Sequence, residues 1–521
     1  MPLIPSLSVT RQSVAPTESL MVPQRKKNIG SPAAKDLGNY SPTIFMKLFP
    51  QWGEDSSVQQ SYVSDLVRIV VEQRDAHSSS RNEKLVRIVL QVDDLKNPTS
   101  IFGFEGVDEI YDEIARRTGI DEKAIRDAVQ IVETMDVGET VWAADNGWAT
   151  SGDVYDQNKS FSFKSLPIVS NLTLEKAAKF QRNHGYCKVD KMGLFQGSPV
   201  KKNEIESLHA LGKKLGIPVQ TANSYLEGGN ILPGTLPNGE AYAVVGRDSL
   251  IVSAFHFIES EKFSDGKIMA TAKYLDSKGL LNEDDLIEVM ENIKNSEDGQ
   301  DLRSKAKCMM AVLELTKDEI SRDLGIKREN LLFIDQADYH NDMQIRLLGA
   351  GEIMINNHQE SIKLIDRAIE KFSDPVEIDT LKQLRLEEEK LSVVMDPILQ
   401  KIEDDLKKFE NIGIRVIKAP GSMGDSEERF MEKSSRKGSP NLNFINSLLF
   451  MNTRGESIYV TNATSLPKLA EEFEIFMHDL GVDKVYYVGK DKVSENLLAS
   501  EASINGFGAL ACRTKCTTIG V

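Results

Sequence analysis

The 521-residue chain is 40% apolar and 27% charged, with 63 Lys and Arg against 79 Asp and Glu, a formal charge of −16. That balance speaks against a general nucleic-acid binder, which needs a basic face, and suits a cationic small substrate or a basic partner. No apolar run reaches the ~18 residues of a membrane span, and at ~150 residues per domain the length allows three or four domains, or one or two large α/β ones.

Residues 1–40 are rich in Pro and Ser and carry the basic cluster Arg25-Lys26-Lys27. They lack the charged start and apolar core of a signal peptide, so a flexible tail is expected over 1–45 and a cytoplasmic location with it. Delivery or secretion by a route without a cleaved signal stays open. Four cysteines, Cys187, Cys308, Cys512 and Cys516, are too few for a disulfide scaffold and include no paired Cys-x-x-Cys units for structural zinc. Structural zinc is not expected on that count, and no other metal or cofactor is expected either.

Apolar periodicity begins at Ser57–Gln73, within a helical element expected over 46–84 to pack on the core. A strand follows at Lys84–Val92, then helices at Val107–Arg117 and Asp121–Met135, with Gly119 closing the first and Asp121 capping the second. Glu139–Ala144 reads as a strand ending at the turn Asp145-Asn146-Gly147. Further on, Lys202–Leu215 reads as a helix and Pro218–Ala222 as a strand, while Ala241–Gly246 and Leu250–Phe257 read as a strand pair. Strands are expected at Asn330–Asp335, Gly351–Asn356, Ile414–Ala419, Phe444–Met451, Ser457–Thr461 and Lys484–Val488. Helices are expected at His358–Phe372, Leu466–Leu480 and Lys492–Ser500, with a last short strand at Gly506–Cys512. Strand pairs alternating with single helices suggest copies of a small ββαβ unit. Helical insertions interrupt them near 259–325 and 375–440, the second ending in a polar loop from Ala419 to Pro440.

Four places carry candidate chemistry. Tyr339-His340-Asn341-Asp342 follows a strand. If the backbone is extended there, His340 and Asp342 share a face and suit proton transfer beside cation binding. In Glu227-Gly228-Gly229-Asn230, paired glycines allow close approach behind a carboxylate. Cys512 ends a Gly-flanked apolar stretch near Arg513 and Lys515, where a thiol pKa falls and a nucleophile forms. Asp145 stands where a strand becomes a turn. Each alone has an ordinary reading: a surface loop, a hairpin turn, an inert cysteine, an Asx turn.

Together, in chain order, these residues resemble the guanidino-group-modifying enzyme superfamily of agmatine and arginine deiminases, dimethylarginine hydrolases and amidinotransferases. EGGN at 227–230, HNDMQIRLLGAGEIMIN at 340–356, LNFINSLLFMNTRGESIYV at 442–460, GALACRT at 508–514 and VWAADNGWA at 141–149 carry the likeness over roughly 135–521. The sequence departs from it in having Ala144 where an Arg precedes the aspartate, Gly147-Trp148 in place of Gly-Pro, and Ala511 where agmatine deiminases have His. The resemblance implies an α/β five-bladed propeller, the pentein fold, of ββαβ modules with helical insertions, forming one catalytic domain over 85–521.

The resemblance also implies a mechanism. A guanidinium is planar and cationic, and carboxylates hold it flat by bidentate bonds; Asp145, Glu227 and Asp342 would do so. Cys512 as thiolate would add to the guanidino carbon, and His340 would protonate the departing amine. The thiouronium left on Cys512 would then take water activated by His340, releasing a ureido product. The expected substrate is a small cationic guanidino compound or a protein arginine, with no nucleic-acid partner and the oligomeric state open. An amidinotransferase, a protein-arginine-modifying factor and a non-catalytic binding protein of the same fold remain alternatives. Of the two late cysteines, Cys512 is expected to be held by packing and Cys516 to lie in a looser stretch.

Overall fold

Sixteen short strands gather into five sheets in the computed structural model, which describes residues 43–48, 56–75, 86–92, 106–134, 147–149, 162–181, 199–296, 301–337, 340–422, 442–452, 455–489 and 514–517. The first sheet runs β16 (Thr514–Thr517), β1 (Thr43–Leu48), β2 (Arg87–Val92), β3 (Val129–Glu133). The second holds β4 (Gly147–Ala149), β5 (Phe163–Ser165) and β6 (Val219–Thr221). The third holds β7 (Ile231–Thr235), β8 (Ala241–Gly246) and β9 (Leu331–Ile334). The fourth holds β10 (Ile345–Gly349), β11 (Glu352–Asn356) and β12 (Arg415–Ala419), and the fifth β13 (Leu448–Met451), β14 (Ser457–Asn462) and β15 (Lys484–Val488).

Sheets two to five repeat one plan. The first two strands pair antiparallel and the third joins the second in parallel. A parallel partner needs a long crossover, and helices supply it. These are α4 (Asn171–Gln181) and α5 (Pro199–Leu215) in the second sheet; α6 (Arg247–Glu259), α7 (Asp265–Ser277), α8 (Glu283–Ser296) and α9 (Leu302–Leu324) in the third; α10 (His358–Lys371) and α11 (Pro375–Lys407) in the fourth; and α12 (Pro467–Asp479) in the fifth. The first sheet follows the same plan with its opening strand taken from far along the chain. There β16 pairs antiparallel with β1, and β1 pairs parallel with β2 after helix α1 (Ser56–Asp75). The helices α2 (Val107–Thr118) and α3 (Glu122–Ala128) then lead to the added parallel strand β3.

Apolar side chains bind each sheet to the next. Phe45 and Val89 of the first share a core with Ala149 and Phe163 of the second. Trp148 and Leu166 pack with Ile231 and Val245 of the third. Leu232 and Tyr242 join Leu347 and Ile353 of the fourth and Leu449 and Tyr459 of the fifth. Phe450 and Val460 of the fifth pack with Ile44 and Leu90 of the first. Successive sheets thus adjoin, and the last adjoins the first.

The expected α/β class holds, as do the caps around α2 and α3. Gly119 ends α2 at φ 70°, a left-handed position a side chain resists, and the Asp121 carboxylate accepts from the Lys123 N–H. Three expectations need correction. The run 121–135 is not one helix: α3 stops at Ala128, and the β-branched stretch Val129–Glu133 pairs with β2. Leu250–Phe257 is not a strand but the body of helix α6, and the antiparallel partner of β8 is β7. Strand β13 begins at Leu448, so Phe444–Ser447 forms a lead-in ahead of it. Strand β1 and helix α1 fall in the stretches read as tail and packing element, and they supply a strand and the crossover of the first sheet. Helices α7, α8 and α9, and α11, fall within the two stretches read as insertions.

Candidate active site

The described members of the expected site, Glu227, His340 and Asp342, occupy one recurring place, the lead-in to the first strand of a sheet. Glu227 stands at the head of a 3-10 turn, Gly228–Asn230, that runs into β7. His340 heads the equivalent turn, Asn341–Met343, just ahead of β10. Asp145 and Cys512 lie outside the described residues, and each precedes by two positions the first strand of its own sheet, β4 and β16.

Asparagines tie the described lead-ins together. The Asn341 main-chain N–H donates to Asn230 Oδ1 at 3.2 Å, and Asn341 Nδ2 to the Asn230 carbonyl at 3.4 Å. Gln336 Nε2 donates to the same Asn230 Oδ1 at 2.9 Å. From the fifth sheet, Asn446 Nδ2 donates to the Asp342 carbonyl at 3.0 Å. Asn462 Nδ2 in turn donates to the Asn443 and Asn446 carbonyls at 2.8 and 2.9 Å. All these amides are buried, so the bonds form away from competing water and hold the turns in a fixed relation.

Within this frame Glu227 and His340, 113 residues apart, meet at 3.1 Å between Oε2 and Nε2, both side chains buried. The other Glu227 oxygen accepts from the Tyr225 hydroxyl at 2.9 Å. Tyr225 is itself fixed to α6, its main-chain N–H donating to Ser253 Oγ at 2.8 Å. Gly229 makes the contact sterically possible. A Cβ there would stand 2.4 Å from His340 Nδ1 and 2.6 Å from its Cγ, so the imidazole lies directly on the glycine backbone. A buried imidazole on a held carboxylate is an oriented acid–base pair.

Asp342 is buried one turn away. The expectation that it shares an extended face with His340 fails. His340 is extended (φ −130°, ψ 139°), but 341–343 coil into a 3-10 turn. Cys516 also departs from expectation: it lies inside paired strand β16, in register with Ile44 of β1, and not in a loose stretch.

Sequence reasoning passed over Asp248, at the start of α6. Its main-chain N–H donates to Gln336 Oε1 at 2.7 Å, placing it one side chain from Asn230. Burial pushes its carboxyl up to about 7; the charge of Glu227 adds to this, while Gln181, Arg247 and His340 pull it back. The tying asparagines were also passed over, although EGGN, HND and NFIN each place one in a lead-in.

Beyond Arg247 lies a cavity of about 340 Å³ lined by Phe180, Phe333, Asp335, Glu288 and Lys401 among others. Arg247 bonds Asp335 at 3.0 Å and Glu288 at 2.6 Å, and Lys401 of α11 reaches Asp335 at 2.5 Å. Among the described residues no three His, Cys, Asp or Glu side chains gather as a metal site, and no helix is long and apolar enough to cross a membrane.

No protein-family model and no curated protein matches the sequence. Among solved structures the chain is similar to an agmatine deiminase from C. jejuni, at 11% identity and a TM-score of 0.46, covering 94% of this chain and 96% of that one. A cysteine-to-serine form of the C. jejuni agmatine deiminase with substrate bound is similar at 11% identity and a TM-score of 0.45, covering 93% and 95%.

Proposed function

We propose that this chain is a hydrolase of a guanidino group, acting on an arginine-like or agmatine-like cation through a covalent intermediate on Cys512, in a five-bladed α/β propeller. The observation that carries the reading is the lead-in geometry. Three consecutive sheets turn their lead-ins to one another through Asn230, Asn341 and Asn446. The remaining two lead-ins carry Asp145 and Cys512 in sequence. The circular order of the shared cores supports the propeller, since five sheets in a ring bring five equivalent lead-ins to one axis.

In this reading the Cys512 thiolate adds to the guanidino carbon, and the C–N bond to the terminal amine breaks as His340 delivers a proton to that nitrogen. Ammonia leaves and a thiouronium remains. His340 then takes a proton from water, the hydroxide adds to the same carbon, and the C–S bond breaks to release a ureido product and the thiolate. Glu227 orients the imidazole, and Asp145 and Asp342 hold the planar cation.

The test is a ureido colour assay across agmatine, arginine, methylated arginines and an arginine-containing protein. One substrate should give ureido product and ammonia with the native chain, none with Cys512→Ala, and near-native yield with Cys516→Ala. Activity that survives in Cys512→Ala removes the thiol mechanism. Amidino transfer to an added amine without ammonia makes the chain a transferase. No product from any of the four substrates removes the reading.

A further inference from the structure

The carboxylate that meets His340 is held at both oxygens. One lies 3.1 Å from the imidazole, and the other accepts from the Tyr225 hydroxyl at 2.9 Å. A carboxylate bonded at one oxygen can still turn about its last single bond; a bond at each oxygen fixes its plane. Tyr225 stands two residues before Glu227, and both are buried, so the phenol bond forms away from competing water.

Two helices of the third sheet's crossover anchor the phenol in turn. Ser253 of α6 accepts the Tyr225 main-chain N–H at 2.8 Å and donates to the Tyr225 carbonyl at 3.3 Å, gripping both sides of one residue. Asp323, near the end of α9, accepts the Ser224 N–H at 2.7 Å with one oxygen and Asn223 Nδ2 at 3.2 Å with the other. Residues 223–225 belong to no helix or strand. These bonds, and not a sheet ladder, therefore set where the hydroxyl points. Helices α6 and α9 reach the imidazole through Tyr225 and Glu227.

We propose that Tyr225 is a positioning residue for the Glu227–His340 pair, and that its hydroxyl limits how firmly the imidazole keeps its proton. A donor on Glu227 Oε1 stabilises the carboxylate charge. Without it that buried charge is compensated less, and the imidazole stays cationic to higher pH. The role in turnover rests on the guanidino reading, in which His340 first gives a proton to the departing amine and then takes one from water. An imidazole held too firmly as a cation serves the first step and fails the second. Two further acids stand by the pair: Asp248 of α6, which interacts electrostatically with both members, and Asp342, buried in the turn that His340 heads. Both persist when the phenol is changed, so the comparison isolates the hydroxyl.

The test is an NMR titration of the full chain labelled with carbon-13 at histidine Cε1. His340→Asn assigns the His340 signal among the seven histidines. Tyr225→Phe should raise the His340 midpoint by about one pH unit. Ser253→Ala keeps the phenol but frees its main chain, and should move the midpoint the same way by less. On the substrate that the colour assay identifies, Tyr225→Phe should move the low-pH side of the kcat profile upward as well. At the native optimum kcat should fall about tenfold, with KM within about twofold of native. A His340 midpoint that stays native in Tyr225→Phe overturns the proposal. So does a raised KM with kcat and midpoint unchanged, which makes Tyr225 a substrate contact instead. Should Tyr225→Phe not fold, an unmoved midpoint in Ser253→Ala overturns it. A midpoint that rises as expected in a chain whose native form turns over none of the four substrates removes the guanidino reading and leaves the hold on His340 standing.

Discussion

One methyl group at position 229 would occupy the space of the His340 ring, since the built Cβ falls 2.4 Å from Nδ1 and 3.0 Å from the histidine's own Cβ. The neighbour in the way is the side chain whose place sets the chemistry, so it must turn off Glu227. Misplacements of about an ångström can cost ~10²-fold in rate. Gly229→Ala should therefore lower kcat by about 10²-fold or more on the substrate that the colour assay identifies, while the thermal midpoint moves only a few degrees. Turnover within twofold of native would show that His340 does not act from this position. The Glu227 and His340 motifs were legible because each is a contiguous signature of unusual residue types. Asp248 was not: it follows an ordinary Gly-Arg pair, and only the fold shows that its neighbours lie in segments 181, 227 and 340.

At the scale of elements, legibility followed the clarity of the apolar period. Helix α10 was read almost to the residue because Ile362, Ile365 and Ala368 form one buried face behind an Asn357 cap. Leu250–Phe257 misled because nearly all of it is buried, and a fully buried helix segment has the same uniform apolar look as an inner strand. The short strands β4 and β5, three residues each, are below what alternation can reveal. Helix α11 was legible, but its anchorage was not. Its Glu388 carboxylate accepts from His358 Nδ1 at 2.7 Å with both side chains buried. Its Asp396 accepts the His358 main-chain N–H at 3.0 Å. Removing one member of a buried pair strands the other, at about 3–5 kcal/mol. Glu388→Ala should lower the unfolding free energy at pH 7 by about 3 kcal/mol in urea titration, and Glu388→Gln by less, because an amide still satisfies the imidazole. Equal, small losses in both would mean that α11 is held elsewhere.

Across the whole molecule, ion pairs stitch one crossover to another, and this sets how stability varies with pH. Burial opposes ionisation of Asp335 at the end of β9, but Arg247 of α6 and Lys401 of α11 outweigh it and hold the carboxyl below its ordinary range. Burial likewise opposes Glu472 of α12, and Lys371 and Arg367 of α10 outweigh it, joining the fifth sheet's helix to the fourth's. Glu314 of α9 behaves the same way, against Lys317 and Arg328. An acid whose folded pKa is depressed contributes stability that is complete above its unfolded value, about 4, and is lost as pH falls through the folded value. Asp248 has the opposite sign. Its raised pKa favours the folded state at low pH, and that contribution is lost between about 4 and 7. The two effects occupy different windows. The thermal midpoint should therefore decline gently from pH 5 to 7 through Asp248, and collapse below pH 4 through the bridging carboxylates. Asp335→Asn should start from a lower midpoint at pH 7 and lose less of it between pH 5 and 3 than the native chain. A native midpoint that holds level down to pH 3 would mean that these bridges do not join the sheets energetically, and that the shared apolar cores alone hold them together.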